Sequence, residues 1–187
     1  AAATLKDLPG FIRQRRDEAG AVAFEEVAQV LEHFIAGLSG RPMRLAADEA
    51  PWTDTEVVYL PRRIARFATR EPNFRAYKVT AALLWAQARH GTFALEASRY
   101  PGAGRELALL GVLESLRHAA HFARELPGLY RDLDALRQPA LDARLERAAQ
   151  PLRSPQSGVA ESLDALRALP AGVDAPDWQF LGKLDPK

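Results

Sequence analysis

The chain contains no cysteine. Disulfides, thiolate nucleophiles and cysteine-ligated metals are therefore excluded, while the compartment stays open. An excess of one charge is also missing: 25 Lys and Arg against 24 Asp and Glu leave a net charge of +1. No global field draws the chain to nucleic acid or to a membrane surface, so basic patches must be judged one by one. No apolar run approaches the ~20 residues that span a bilayer. The first residues, AAATLKDLPG, lack the charged and apolar regions of a signal peptide. The expectation is a soluble, cytoplasmic protein without membrane insertion. Several catalytic signatures are absent too. There is no Gly-x-x-x-x-Gly-Lys-Ser/Thr phosphate loop, no Gly-x-Gly-x-x-Gly after a strand and no Gly-x-Ser-x-Gly elbow. No repeat of fixed period is visible.

What is present favours helix. Ala, Leu, Arg and Glu dominate, β-branched residues are sparse, and 48% of the 187 residues are hydrophobic. The length suits one domain, or one domain with a smaller appendage. The stretch from Tyr59 to Phe93 holds the least polar helix candidate, predicted from Phe74 to His90. Pro72 is expected to break what precedes it, and Asn73 to cap the first turn. Phe74, Tyr77, Ala81, Leu84 and Ala88 share one face, and Leu83 and Trp85 add apolar surface elsewhere, the pattern of a buried helix. Gly91 suits a left-handed cap, with His90 at the negative end of the helix dipole.

Other elements follow in order. A short helix is predicted over 9–19, with Arg13, Arg15 and Arg16 on a solvated face. Residues 21–38 form the clearest amphipathic helix, with Val27, Val30, Leu31, Phe34, Ile35 and Leu38 inward and His33 exposed. Two strand-like runs, Met43–Ala46 and Val57–Leu60, predict a two-stranded hairpin, pinned to the helices by Trp52. A second long helix over 102–126 has a buried stripe at Leu109, Leu113, Leu116, Ala120 and Ala123. Pro127-Gly128 ends it, and further helices are predicted near 129–137, 141–150 and 159–169, the last with an imperfect cap from Ser157 and Glu161. Residues 171–187 read as an extended tail or linker, fixed by Trp178 and Phe180. The fold class is all-α, a multi-helix domain over 1–170 with a small β-hairpin at about 43–60 packed on it.

Two groups of residues carry candidate chemistry. Arg62, Arg63, Arg66, Arg70, Arg75 and Lys78 face only Glu71 in the same stretch. They suit nucleic acid phosphates or an acidic protein surface. The plainer reading is a helix whose arginine stems cover apolar surface, with Ile64 and Phe67 inward. On the second long helix, Glu114, His118, His121 and Glu125 share a face, and their chemistry suits zinc or iron. Against a metal, the Glu-x-x-His pairs of di-iron bundles are missing, as is the zinc-protease motif. Arg117 lies inside the stripe, so internal salt bridging among Glu114, Arg117, His118 and His121 is favoured over a metal site at Glu114, His118 and His121. No cofactor is implied.

Read together, several short motifs resemble the N-terminal region of the CbbO/NorD family of von Willebrand factor A (VWA) proteins. The motifs are Asp54 through Leu60-Pro61, Asn73-Phe74 with Tyr77-Lys78, Gly91-Thr92-Phe93, Leu113-Glu114 with Arg117, and Pro127-Gly128-Leu129 with Asp132-Leu133. The resemblance covers roughly residues 40–140. It implies a non-catalytic adaptor that works with a hexameric MoxR-type AAA+ ATPase on a client enzyme. The client is rubisco in the CbbO branch, which is favoured, and nitric oxide reductase in the NorD branch. The Asp-x-Ser-x-Ser motif of the VWA domain is absent from these residues, which is expected of an N-terminal domain taken from a longer protein. Arg62, Arg63, Arg66 and Arg70 are the candidate contact residues. A helical nucleic-acid-binding module and a metal-dependent enzyme are the competing classes.

Overall fold

The structure, a computed structural model, describes residues 20–102, 104–178 and 180–184. The predicted helix over 9–19 and its arginines lie outside them. Among the described residues, helix of all kinds accounts for 55% and strand for 10%, and the α-helices number six. The helices are α1 (Phe24–Ser39), α2 (Arg70–Arg89), α3 (Arg105–Glu125), α4 (Pro127–Leu136), α5 (Ala143–Ala148) and α6 (Val159–Arg167). None is long and apolar enough to cross a membrane. The five strands are β1 (Val22–Ala23), β2 (Arg44–Asp48), β3 (Trp52–Thr53), β4 (Val57–Pro61) and β5 (Arg63–Ile64). The domain is helix-dominated, but its β structure exceeds a hairpin.

The two runs expected to form that hairpin do pair, but in parallel, from Arg44 opposite Val57 to Asp48 opposite Pro61. β3 lies antiparallel on the other edge of β4, giving the order β2-β4-β3. Parallel neighbours need a connection that returns the chain to its starting end. Residues 49–56 do this, and they supply β3 on the way. Asp54 shapes the return, its Oδ1 accepting from the N–H groups of Glu56 (3.0 Å) and Val57 (2.7 Å). Trp52 pins the sheet to itself rather than to the helices. Its ring stacks on Tyr59 at 4.1 Å and its Nε1–H donates to Asp48 Oδ2 at 2.7 Å. Val58 and Leu60, both fully buried, carry the sheet into the helical core. A separate antiparallel pair, β1 with β5, closes beside it.

α2 is buried on most sides and packs against α1, α3, α4 and β4. It starts at Arg70, four residues before the predicted Phe74 start, because Pro72 falls in the first turn, where its missing N–H costs no helical bond. Asn73 is therefore inside the helix and does not cap it. Its side chain reaches back to the incoming loop. Oδ1 accepts from Phe67 N–H (2.9 Å), and Nδ2 donates to the carbonyls of Gly20 (2.8 Å), Phe67 (2.7 Å) and Thr69 (3.0 Å). Gly20 allows this approach, since a Cβ there would sit 2.5 Å from the Ala68 carbonyl oxygen. Gly91 takes the left-handed conformation at φ 69° and ends the helix as expected.

Other departures are local. Val30 of α1 is 52% exposed, off the face formed by Val27, Leu31 and Ile35. Pro127 and Gly128 open α4 instead of only ending α3. At α6 the cap is half a capping box: Glu161 Oε2 accepts from Gly158 N–H at 2.7 Å. Ser157 instead donates to the carbonyls of Leu152 and Ser154 at 2.9 and 2.8 Å. Beyond α6 the described residues form no helix or strand, yet Val173, Trp178, Phe180 and Leu184 are buried. Trp178 Nε1–H donates to the Pro139 carbonyl at 2.8 Å, and Thr80 Oγ1 to that of Phe180 at 3.1 Å.

Replacing Asn73 by Ala strands buried backbone groups from two separate segments. Urea unfolding of Asn73→Ala should show a loss of roughly 2–4 kcal/mol; a loss within experimental error of zero contradicts the clamp.

Candidate functional site

The polar stripe of α3 is a buried face from Glu114 to His121, the reverse of the simple periodic reading, and is exposed only at Glu125. Glu114 and Arg117 are 0% and 1% exposed, and His118 and Ser115 are buried with them. Of the stripe predicted as core, Leu109 and Leu113 are buried, but Leu116 and Ala120 are only half-buried and Ala123 is exposed. A carboxylate and a guanidinium enter a core only if their hydrogen bonds are met there.

They are met by two distant segments. Arg117 grips Glu114 with both sides of its fork, Nε to Oε1 at 2.8 Å and Nη2 to Oε2 at 2.6 Å. Ser162 of α6 donates to Oε1 at 2.6 Å. Thr92, in the corner after α2, donates its hydroxyl proton to Oε2. Thr92 Oγ1 in turn accepts from Arg117 Nη2 at 3.3 Å. The remaining arm, Nη1, donates to the carbonyls of His90 (3.1 Å) and Ser157 (3.5 Å). One ion pair thus joins α3 to the α2 corner and to the start of α6.

Three histidines line the same region. His90 and His121 stack at 4.1 Å, and His118 lies 5.8 Å from His90. His118 Nε2 is 3.0 Å from Thr92 Oγ1. Because that hydroxyl gives its proton to Glu114, the ring donates from Nε2. Its Nδ1 is left as a buried acceptor with no partner among the described residues. Burial, together with the charge of Arg117 and the neighbouring rings, lowers His118 to about 3 against the pull of Glu114. Burial, His121 and Arg117 lower His90 to about 4. His90 therefore ends α2 as a neutral ring, and the predicted cation–dipole contact is not made. Burial and then Arg124 and Arg117 lower His121 as well. For Glu114, burial acts to raise the carboxyl, but the hydrogen bonds and charge of Arg117 and the Ser162 hydroxyl prevail and hold it at about 2.

The Glu114, His118 and His121 constellation is not arranged to share an ion. Both Glu114 oxygens are engaged, and His121 Nδ1 accepts from Arg124 Nη2 at 3.1 Å. No group of three His, Asp or Glu among the described residues is placed to hold a metal. The anticipated internal ion pairing is present between Glu114 and Arg117, while His118 joins as a neutral ring. Thr92 and Ser162 were not picked out by reasoning from ligand types. Ser162 carried a weak signal, since it shares the buried face of α6 with Val159 and Leu163.

The arginine-rich stretch is extended rather than helical. Arg62 sits between β4 and β5, its N–H donating to the Asp48 carbonyl (3.1 Å) and its carbonyl accepting from Phe24 N–H (2.9 Å). Arg62, Arg63 and Arg66 are exposed, and among the described residues none has an ion-pair partner. Arg66 Nη2 reaches the Asp177 carbonyl at 3.4 Å. Arg63 and Arg66 rim a groove of about 400 Å³ whose floor includes Ile64, Phe67, Leu136 and Phe180. Arg70 is exposed but paired with Glu26. Arg75 and Lys78 both bind Asp132 of α4, so they are not part of the free edge.

Comparison of the chain with protein-family models, curated proteins and solved structures returned no significant match.

The histidines set a pH dependence. His90 and His118 are neutral when folded and return to about 6.5 on unfolding. The unfolded chain then binds more protons, so stability is full above about pH 6.5 and falls as pH drops toward their folded values. Urea titrations between pH 7.5 and 5 should show this fall, with His121 adding to it, the slope near pH 5 reaching roughly two protons or more and dropping by roughly one in His90→Phe. Flat stability, or an unchanged slope in the variant, contradicts the neutral-ring assignment. Glu114 adds a loss only below about pH 4.5, toward pH 2.

Proposed function

We propose that this chain is a non-catalytic adaptor domain that couples a MoxR-type AAA+ ATPase ring to the remodelling of a client enzyme. Rubisco is the favoured client and nitric oxide reductase the alternative. The observation that supports this reading is how the residues of the family-like motifs are placed. They lie far apart in sequence, yet they bond to one another. Tyr77 donates to the Pro61 carbonyl at 2.6 Å, joining the Tyr-Lys motif to the Leu-Pro motif. Lys78 pairs with Asp132, joining it to the Pro-Gly-Leu segment. Thr92 bonds to Glu114, and Glu114 to Arg117, joining the Gly-Thr-Phe corner to the Leu-Glu-x-x-Arg motif. The motifs thus describe one scaffold.

On this reading the buried ion pair is architectural. Its charged groups bond to each other and to protein hydroxyls, and neither is presented to a substrate. The contact surface is the edge carrying Arg62, Arg63 and Arg66, with Arg70 at its margin. Its backbone is tied on both sides, and it borders an apolar groove. Arginine forks pair with carboxylates on a partner, and the groove takes apolar side chains between them.

The test is capture of MoxR-type hexamers by the immobilised domain, with Arg62→Glu/Arg66→Glu as the variant. Charge reversal at the rim should weaken capture about tenfold or more while leaving circular dichroism unchanged. Unchanged capture rejects this surface. A mobility shift on RNA or DNA at physiological salt, without ATPase capture, assigns the same arginines to nucleic acid instead.

A further inference from the structure

We propose that the outer edge of β5 takes up an extended acidic segment of a protein partner as an added antiparallel strand, its backbone bonded to that of Arg63 and Ala65. Strand addition rests on reading the arginine edge as a protein contact surface, whichever protein that is. It specifies how the partner is held and what its sequence offers.

β5 pairs on one side only. In its antiparallel register with β1, Ala23 lies opposite Arg63, and Phe24 N–H donates to the Arg62 carbonyl. That pattern makes Ala23 and Arg63 a non-hydrogen-bonded pair, so the N–H and C=O of Arg63 point away from β1. Among the described residues no group bonds to them, nor to the N–H and C=O of Ala65. Arg63 is exposed and Ala65 half-buried. The groove of about 400 Å³ runs along this edge. Every residue from 63 to 67 lines it, where a groove over one face of a strand would meet alternate residues. Bonds at Arg62 and at Phe67, whose N–H is taken by Asn73 Oδ1, hold the two ends of the edge. Little order is then lost on docking. An open strand edge is a template for an extended chain, with main-chain bonds giving affinity and side-chain contacts giving specificity.

Charge decides the occupant. Arg63 and Arg66 line the groove without ion-pair partners among the described residues, and Glu49 is the one acid in that lining. A second copy paired through the same edge would bring these arginines against their own counterparts, and like charges across a ladder are destabilising. Nucleic acid has no peptide backbone to offer the edge. An acidic strand meets both needs. Favourable cross-strand pairs place an acid opposite Arg63, apolar residues opposite Ile64 and Ala65, an acid opposite Arg66 and an apolar residue opposite Phe67. In the antiparallel direction that segment is Ile-Glu-Val-Val-Glu.

The probe is acetyl-Ile-Glu-Val-Val-Glu-amide, titrated into the isotope-labelled full chain at physiological salt. The amide resonances of Arg63 and Ala65 should shift to saturation, and their hydrogen exchange should slow. An N-methyl group on the third residue, whose N–H faces the edge at Ala65, should weaken binding about tenfold or more. The same group on the fourth residue, whose N–H faces away, should change it by less than about twofold. Replacing both Glu by Lys should abolish the shifts. Unmoved resonances, equal binding by the two methylated peptides, or binding of the Lys peptide overturns strand addition. So does a concentration-dependent shift of the same amides without peptide, which assigns the edge to a second copy. No ATPase is present, so failure here leaves the capture assay to be judged separately, and peptide binding alongside failed capture supports strand addition while rejecting the adaptor reading.

Discussion

The Glu114–Arg117 pair is the constraint on which the arrangement of α3 depends. Desolvating two charges costs several kcal/mol each, and that cost is offset only where geometry and additional hydrogen bonds are both good. Here the fork is two-sided, both carboxylate oxygens receive a hydroxyl, and the third guanidinium nitrogen finds two carbonyls. Those partners come from the corner after α2 and from the start of α6. Sliding or rotating α3 by one residue would leave a charge buried and unmatched. Our hypothesis is that the pair sets the register of three elements, since a hydrophobic contact of similar size would tolerate such a slip.

A second set of contacts fixes the other end of α2. Asn73 gathers Gly20, Phe67 and Thr69, while Tyr77 anchors Pro61 and Asp132 collects Arg75 and Lys78. α2 is thus tied at its start by polar clamps and at its end by the Thr92 corner, with an apolar middle between. The extended arginine edge leaves the sheet beside the first clamp. Its backbone bonds to Asp48 and Phe24 hold Arg62 on a fixed frame. Such a frame limits the entropy lost when a partner engages those side chains.

Much of the helical layout was legible because punctuation is local. Gly40 and Gly91 end α1 and α2 in the left-handed conformation that glycine favours. Buried positions such as Leu31, Ile35, Leu84 and Leu113 follow simple spacing. The misses involve partners distant in sequence. Nothing near Leu45 or Val58 states that their strands run parallel, because the choice depends on the return through residues 49–56. Nothing near Arg62 says that it continues into a strand pair with Val22 and Ala23 instead of a helix. Local rules make Pro72 a break and Asn73 a cap, and the clamp on Gly20 overrides them. The largest miss was the polar stripe of α3. Its burial required Thr92 and Ser162, 22 and 48 residues from Glu114 in the chain. A charge pair at that spacing on a helix ordinarily faces water.

Glu114 and Arg117 act as one unit inside the fold. A double-mutant cycle measures this directly, using Glu114→Leu, Arg117→Met and the combined variant in equilibrium unfolding. Each single change strands a charge in the core and should cost roughly 3–5 kcal/mol, while the combined variant should recover roughly 2 kcal/mol or more over the worse single. Losses that simply add would show two independent side chains and contradict the claim.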